Sequence, residues 1–314
     1  MNIFYHTNEN KKINNPIITI GTFDGVHLGH KKLINRLNEL ATKFDGESTI
    51  LTFHPHPRIV LANDYSIRLL STIDEKKQLL EKAGIKNLII HPFTKEFSEL
   101  TSIEFIEQIL LNSIKPKAIV IGYNHHFGKN REGSFEQLKS YSATHNFYIE
   151  EISAFDINEI EISSTRIRNA LSIGDLKTAN SYLGYTYSIS GKVVEGKKLG
   201  RTIGYPTANI EAEDKTKLIP GDGIYAVHVK HKNVFYKGML SIGMNPTVNG
   251  IHKTIEVHIF DFNFDIYGTN LVIYFFEKLR NEAKFAGLDE LKNQLHLDKV
   301  NSLKVLERFD DLKN

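Results

Sequence analysis

Short apolar runs alternate with amphipathic helical patterns through the first half of the chain. Runs rich in Ile, Val, Leu and Thr predict buried strands at residues 16–23, 47–53, 87–91 and 118–122. Apolar residues at helical spacing predict helices between them, at residues 30–44, 74–83 and 102–112. This alternation predicts an α/β domain whose parallel sheet carries helices on both faces. Sheets of this kind bind their ligands beyond the carboxyl ends of the strands.

The pattern changes after two short predicted helices, at residues 164–171 and 175–183, the second followed by Gly184 as a C-cap. Runs of β-branched and aromatic residues then predict strands at residues 223–230, 234–242, 254–260 and 270–276. Glycines between these runs favour a small antiparallel barrel or sandwich. A terminal helix is predicted from residue 288, continuing with a break toward residue 312. The change of pattern predicts two domains, residues 1–185 and 186–314.

Composition narrows the class of protein. The 39 Lys and Arg residues nearly balance the 37 Asp and Glu residues, so no nucleic-acid partner is expected. The sequence has no cysteine, which excludes disulfides, zinc–thiolate sites, iron–sulfur clusters and a cysteine nucleophile. No run approaches the roughly 18 apolar residues of a membrane span, and the first 15 residues lack a signal peptide's apolar core. We therefore expect a cytoplasmic protein without a membrane partner, and the sequence leaves its oligomeric state open.

The first candidate site is the string GTFDGVHLGH, residues 21–30, which joins a predicted strand to a predicted helix. Its glycines let a phosphate chain approach the backbone, and the helix N-terminus favours an anion. Two histidines three residues apart share one helix face and can donate to the same phosphate. Adenylyl transfer requires alignment of two reactants and stabilisation of charge on the α-phosphate, which this arrangement suits. The candidate catalytic residues are His27 and His30, and the candidate ATP contacts are Gly21, Phe23, Asp24, Gly25 and Gly29.

Two other interpretations of this string stay open. It can be a strand-to-helix turn whose histidines only cap the helix or pack. A metal site is disfavoured because no carboxylate stands at a suitable spacing.

A second phosphate-binding candidate is the string ISSTRIR, residues 162–168, at the start of a predicted helix. Ser164 and Thr165 can cap the helix, and Arg166 and Arg168 can reach triphosphate oxygens through forked donors. The alternative is an ordinary helix N-cap with solvated arginines.

Two loops follow the ends of predicted strands, where a ligand wall is expected. They are HPHPR at residues 54–58 and GYNHHFGK at residues 122–129, and simple turns are the alternative. Neither is a Walker A motif, because five residues separate Gly122 from Gly128 and Asn130 follows Lys129 where Ser or Thr is required.

The second half contains GKVVEGKKLGRTIGYPTAN, residues 191–209, with several glycines and cations. Gly196, Lys197 and Gly200 predict a flexible loop that covers phosphates, although a glycine-rich hairpin is the alternative. Thr207 and Asn209 offer neutral oxygen ligands for nucleotide-bound Mg²⁺, and Thr207 is also a candidate ATP contact.

The predicted strand TIEVHIF, residues 254–260, alternates with period two. Thr254, Glu256 and His258 face one way, and the isoleucines and valine between them face the other. A glutamate on a rigid strand can act as general base on a substrate hydroxyl. An exposed strand glutamate without a catalytic role is the alternative.

With these strings in one order, the chain resembles the bacterial bifunctional riboflavin kinase/FMN adenylyltransferase family over nearly its whole length. HxGH is shared by many nucleotidyltransferases, whereas PTAN followed by EVH is more specific. The resemblance implies a Rossmann-like nucleotidyltransferase domain and a six-stranded barrel kinase domain with a terminal helix. One departure is FFEKLR at residues 275–280, which has extra or altered residues where the family has a tighter ending.

The resemblance also implies roles for individual residues. His27 and His30 would contact ATP, with Ser164, Thr165 and Arg168 closing over its phosphates. Mg²⁺ would be held by Thr207 and Asn209, and Glu256 would deprotonate the terminal ribityl hydroxyl. Riboflavin, FMN and ATP would be the small-molecule substrates. The flavin-binding residues of the first domain would be His54, Pro55, Arg58, Asn124 and Phe127.

Three further hypotheses compete with a two-activity enzyme. One domain can have lost its activity, but the intact motifs of both halves argue against decay. A flavin-binding sensor or carrier would have no reason to keep two phosphate sites. An aminoacyl-tRNA synthetase is suggested by HLGH alone, and the near-neutral charge and missing anticodon-binding module disfavour it.

Overall fold

The computed structural model describes residues 1–9, 13–62, 67–123, 125–153, 162–196, 199–247 and 250–309. The chain divides into two compact units, Met1–Ser164 and Thr165–Asn314. Of the helices in the described ranges, none combines the length and the apolar character that a bilayer span requires.

The first unit contains a six-stranded sheet in the order β1-β4-β3-β2-β5-β6, in which every neighbouring pair is parallel. Its strands are β1 Asn2–Phe4, β2 Pro16–Ile20, β3 Glu47–His54, β4 Asn87–Pro92, β5 Ala118–Gly122 and β6 Tyr148–Ile152. Its helices are α1 Leu28–Lys43, α2 Pro57–Ala62, α3 Ile73–Lys82, α4 Lys95–Ser98, α5 Ser102–Glu104, a π-helix Phe105–Ile114, a 3₁₀ turn Lys129–Arg131 and α6 Phe135–His145. The predicted parallel α/β architecture is confirmed.

Helices cover both faces of this sheet because its strands are apolar on both sides. On one face, Ile17 of β2 packs with Ile34 and Leu37 of α1 and with Leu80 of α3. On the other face, strand residues pack against Ile106 and Leu110 of the π-helix and against α6. Continuous apolar strands are what a sheet buried on both faces requires.

The sequence pattern does not predict some helices and strands of this unit, and one helix differs from its predicted form. β1 has only three residues and β6 is half-exposed, so neither produces an apolar run in the sequence. α6 has only one fully buried residue, Leu138, so its apolar stripe is weak. The helix predicted at residues 102–112 is a short α5 followed directly by the π-helix.

The strand order reverses between β2 and β5. From β2 the chain continues to β3 and then β4 on one side, whereas β5 and β6 lie on the other side. The loops after β2 and β5 therefore leave neighbouring strands at the same edge of the sheet. Such a switch point is the usual ligand-binding crevice of an open α/β sheet.

Among its described residues, the second unit contains three helices, a closed six-stranded antiparallel barrel and a terminal helix. The barrel order is β10-β11-β8-β7-β12-β9, closed by the pairing of β9 with β10. Its strands are β7 Ser188–Val194, β8 Ala208–Ala212, β9 Gly223–His231, β10 Val234–Thr247, β11 Gly250–Ile259 and β12 Asn270–Arg280. Its helices are α7 Ser164–Ile173, which starts at the last residue of the first unit, α8 Leu176–Leu183, α9 Leu199–Thr202 and α10 Leu288–Glu307. A barrel is thus found where the sequence allowed a barrel or a sandwich.

Two details of the helices can be compared with the sequence. Gly184 caps α8 in the left-handed region, with φ of 68°, as predicted. The terminal helix starts at the predicted residue and runs without a break to Glu307, so the predicted break is not found in that span.

Candidate active sites

The two histidines of GTFDGVHLGH lie side by side at the N-terminus of α1. His27 is the N-cap residue, and its Nδ1 accepts a hydrogen bond from the backbone N–H of His30 at 3.4 Å. The two imidazole rings stack with centroids 3.7 Å apart and planes 17° apart. Both rings therefore stand at the positive end of a 16-residue helix.

Burial keeps His30 in its neutral form. Desolvation lowers its pKa well below the ordinary value, and the neighbouring charges of His27 and Lys76 lower it further. Within the described part of the chain, the buried Nδ1 of His30 has no hydrogen-bond partner. A neutral imidazole still has one N–H to donate, so it can bind a phosphate oxygen without carrying charge itself.

Asp24 holds the loop that leads into α3. Its buried carboxylate accepts hydrogen bonds from the backbone N–H groups of Leu70 at 3.0 Å and Ser71 at 3.1 Å. The Ser71 hydroxyl in turn accepts a hydrogen bond from the N–H of Gly25 at 3.0 Å. The sequence predicted that Asp24 contacts ATP. In the structure its carboxylate binds backbone groups of the fold, and a contact with ATP stays a prediction.

The remaining residues of the string shape the turn. Gly25 has φ of 79°, a left-handed conformation that glycine adopts without strain. Phe23 also has a positive φ, 47°, and its side chain is buried. Gly21 donates its N–H to the carbonyl of Leu51 on β3, and Gly29 is buried in the first turn of α1.

The string ISSTRIR begins next to this turn. The Ser164 hydroxyl donates a hydrogen bond of 3.1 Å to the carbonyl of Asp24. Thr165 is exposed and Arg168 half-buried, both in α7. Their predicted contact with phosphates stays a prediction.

The candidate flavin residues fall into two groups. His54 ends β3, is exposed and is joined to Pro55 by a cis peptide bond, and Arg58 is exposed in α2. Phe127 is buried, with its ring 5.4 Å from that of Phe105. Asn124 lies outside the described residues.

An aromatic cluster that sequence reasoning missed lies at the ends of β3 and β4. The ring of Phe53 is 5.6 Å from that of Phe93 and 5.5 Å from that of Phe97, and His91 contacts Phe97 at 4.7 Å. The signal in the sequence is an aromatic residue at or just after each strand end.

The second site is built by β8, β11 and the segment before them. Glu256 of β11 pairs with Asn209 of β8, and the Thr207 hydroxyl donates a hydrogen bond of 3.1 Å to the Glu256 carboxylate. A side chain at Gly196 would collide with the Asn209 amide and would have to displace it. The structure therefore brings together four residues that the sequence placed in two separate motifs.

His258, two residues after Glu256, holds the start of this segment. Its Nδ1–H donates to the Pro206 carbonyl at 2.7 Å, and its ring contacts that of Tyr205 edge-on at 5.3 Å. Burial lowers the pKa of His258. Gly200 closes the preceding turn by accepting the N–H of Tyr205 at 2.8 Å, and Lys197 lies outside the described residues.

Two protein families match the two halves of the chain. The FAD synthetase family matches residues 9–166, and the riboflavin kinase family matches residues 183–306. The chain belongs to the bifunctional riboflavin kinase/FMN adenylyltransferase family.

Similar proteins match this chain along almost its whole length. A bifunctional riboflavin kinase/FMN adenylyltransferase of Haemophilus influenzae is 38% identical over 292 residues, covering 93% of this chain and 94% of its own. The protein of the same name from Escherichia coli K12 is 37% identical over 285 residues, covering 90% of each chain. A crystal structure from Streptococcus pneumoniae, described as a macrolide-efflux protein, matches with a TM-score of 0.85 and 32% identity, covering 96% of this chain and 99% of that one. The family membership predicted from the sequence is confirmed.

The kinase-type site has the donor set that Mg²⁺ prefers. Thr207, Asn209 and Glu256 offer two neutral oxygens and one carboxylate, all hard oxygen ligands. Among the described residues, no three His, Asp or Glu side chains group as a metal cage.

The segment FFEKLR forms an irregular part of the barrel. Where β12 pairs with β9, the register shifts between Phe275 and Glu277 and again between Lys278 and Arg280. Two irregularities thus take up extra residues, as β-bulges do. After them, Arg280 binds Asp298 of α10 through two hydrogen bonds, of 2.9 and 2.7 Å.

Proposed function

We propose that this chain catalyses two successive reactions, each in one unit. The second unit transfers the γ-phosphoryl group of ATP to riboflavin and gives FMN. The first unit transfers the adenylyl group of ATP to FMN and gives FAD and pyrophosphate. The observation that carries the proposal is the presence of two separate built sites, in the order of the two family matches.

In the adenylylation site, an oxygen of the FMN phosphate attacks the α-phosphorus of ATP. The bond between that phosphorus and the bridging oxygen of the β-phosphate breaks, and pyrophosphate leaves. His27 and His30 donate hydrogen bonds at the N-terminus of α1, where negative charge builds. The enzyme needs no covalent nucleophile, because FMN already carries the attacking phosphate.

The flavin of FMN is proposed to lie against the loops after β3 and β5. His54, Pro55 and Arg58 supply one wall, and Asn124 and Phe127 belong to the other. The aromatic cluster at the ends of β3 and β4 supports this placement, because a flavin ring stacks well on aromatic side chains.

In the kinase site, Glu256 accepts the proton of the terminal ribityl hydroxyl. The oxygen attacks the γ-phosphorus, and the bond to the β-phosphate oxygen breaks to release ADP. Thr207 orients the Glu256 carboxylate through its hydrogen bond. Thr207 and Asn209 would hold Mg²⁺, which neutralises phosphate charge when bound.

Two organisational expectations belong to the same proposal. A boundary near residue 185 stays a prediction: the riboflavin kinase match starts at residue 183, whereas the two compact units divide between Ser164 and Thr165. A cytoplasmic location is part of the proposal, and the absence of cysteine from the sequence is compatible with it.

A product assay tests this function. The chain is incubated with riboflavin, ATP and MgCl₂, and flavins are separated by chromatography over time. FMN should appear first and FAD later, with one ADP released per FMN formed and one pyrophosphate per FAD. Absence of any flavin product would refute the proposal, and accumulation of FMN without FAD would refute its adenylyl-transfer half.

A further inference from the structure

Lys76 is a buried cation in the second turn of α3. Only 6% of the residue is exposed, whereas the side chain of Lys77 beside it is 21% exposed and pairs with Asp74 at 2.9 Å. None of the ion pairs or side-chain hydrogen bonds among the described residues includes Lys76. A lysine is almost never fully buried unless it is paired.

The fold connects Lys76 directly to the adenylylation site. Asp24, three residues before His27, binds the backbone of Leu70 and Ser71, and these residues lead into α3. A capping box formed by Thr72 and Glu75 then fixes the first turn of α3. The position of Lys76 is therefore set by the same carboxylate that sets the turn of GTFDGVHLGH.

The charge of Lys76 affects the pKa of a residue in that site. It lowers the pKa of His30, and Asp24 in turn favours the charged form of Lys76 against the effect of burial. Lys76 thus acts electrostatically on both residues, although no ion pair joins it to Asp24. An anionic ligand bound at His30 would supply the missing partner.

Adenylyl transfer needs a fixed positive charge on one side of the reaction centre. As the bond to the β-phosphate breaks, negative charge increases on the leaving pyrophosphate. At the same time, negative charge decreases on the attacking FMN phosphate. His30, as a neutral donor, brings no net charge to the leaving group. A cation beside it stabilises the transition state more than the ground state.

We infer that Lys76 is a catalytic residue of the adenylylation site that binds the β- and γ-phosphates of ATP and stabilises them as they leave as pyrophosphate. This inference rests on the adenylyl transfer proposed above and names a contact within that site. Nothing in the sequence pattern singles out this lysine, since EKKQLLEK resembles an ordinary solvated helix.

The test uses the full chain in both directions of the reaction. Lys76→Met removes the charge and keeps an unbranched apolar side chain, and Lys76→Arg keeps the charge. Lys77→Met is the matched control on the same helix. In the reverse direction, FAD and inorganic pyrophosphate give FMN and ATP, so KM for pyrophosphate reports the proposed contact.

Lys76→Met should raise KM for pyrophosphate at least 10-fold and lower the forward kcat on the order of 100-fold. KM for FMN and formation of FMN from riboflavin should stay at wild-type values. Lys76→Arg should recover part of the loss, and Lys77→Met should match wild type.

A wild-type KM for pyrophosphate in Lys76→Met would overturn the inference, and so would a rise confined to KM for FMN. If Lys76→Met loses the wild-type near-UV circular dichroism, Lys76→Gln and Lys76→Arg replace it, and equal KM values for pyrophosphate in these two would overturn the inference. Wild-type enzyme that makes no FAD would instead refute the proposed function.

Discussion

The hydroxyl of Thr207, the residue before β8, donates a 3.1 Å hydrogen bond to the carboxylate of Glu256 on the neighbouring strand β11. The two residues are 49 positions apart in the sequence and belong to different motifs. Their contact places a general base beside a metal-type oxygen ligand on a rigid sheet. This geometry links the PTAN segment to the strand that carries EVH.

Replacement of Glu256 separates the two activities. Glu256→Gln keeps the shape and can still accept the Thr207 hydrogen bond, but the amide cannot take a proton. We expect conversion of riboflavin to FMN to fall by about 10²–10⁴. Supplied FMN should still be converted to FAD at the wild-type rate, as chromatography of both reactions will show.

A matched control is Glu211→Gln, on β8 of the same barrel, where the side chain is exposed. It should leave both activities unchanged. Equal loss of FMN and FAD formation in Glu256→Gln would contradict separate sites.

Replacement of His30 gives the opposite split. His30→Ala removes one of the two stacked imidazoles at the N-terminus of α1 and one phosphate donor. FAD formation from FMN should fall on the order of 100-fold, while FMN formation from riboflavin stays unchanged. His145→Ala, at an exposed position of the same unit, is the control. An adenylylation rate within two- to threefold of wild type would rule out a catalytic role for His30.

The sequence predicts the parts of these sites that are contiguous along the chain. His27 and His30 belong to one turn, so strand-to-helix geometry alone brings them together. Thr207 directly precedes β8 and Asn209 lies within it, so the two residues are likewise neighbours along the chain. In such contiguous strings, residue type and spacing already determine most of the relative positions of the side chains.

The parts that depend on long-range contacts could not be predicted. Asp24 resembles a ligand contact in the string, yet it binds backbone groups 46 and 47 residues away. Lys76 resembles a surface lysine, because only the packing of α3 on the sheet makes it buried. Burial and partner choice are set by tertiary structure, and a single sequence does not specify them.

Gly196 provides a test of the packing behind the kinase site. A methyl group at this position would meet the side-chain amide of Asn209. Gly196→Ala should therefore displace Asn209 and reduce FMN formation at least 10-fold, with adenylylation of supplied FMN intact. Gly287→Ala is the control, because nothing lies within 4 Å of a methyl group there. Wild-type kinase activity in Gly196→Ala would show that the Asn209 position is not required.

His91 should make the stability of the first unit depend on pH. Burial lowers its pKa from 6.5 to about 4, and His6 contributes a smaller part. Below pH 6.5, His91 binds a proton in the unfolded chain, whereas in the folded unit it stays neutral until the pH approaches 4. The free energy of unfolding therefore keeps its full value above pH 6.5 and decreases as the pH falls toward 4. Between pH 7 and pH 5, wild type should lose about 1–2 kcal/mol more unfolding free energy than His91→Phe.

Urea unfolding at both pH values measures this difference. His145→Phe, at an exposed position, should keep the full wild-type pH dependence. The same pH dependence in His91→Phe as in wild type would exclude His91 as its source.

The ion pair between Arg280 and Asp298 should attach the terminal helix to the barrel. The side chain of Asp298 is 2% exposed and that of Arg280 22%, and Gln294 donates a further hydrogen bond of 2.9 Å to the carboxylate. Asp298→Ala leaves a largely buried guanidinium without its partner and should destabilise the second unit by about 3–5 kcal/mol. The double variant Arg280→Met/Asp298→Leu removes both charges and should lose much less, because the cost of burying an unpaired charge is gone. Urea unfolding of both variants decides the point, since equal losses would mean that packing of the Asp298 side chain, and not the charge pair, holds α10 in place.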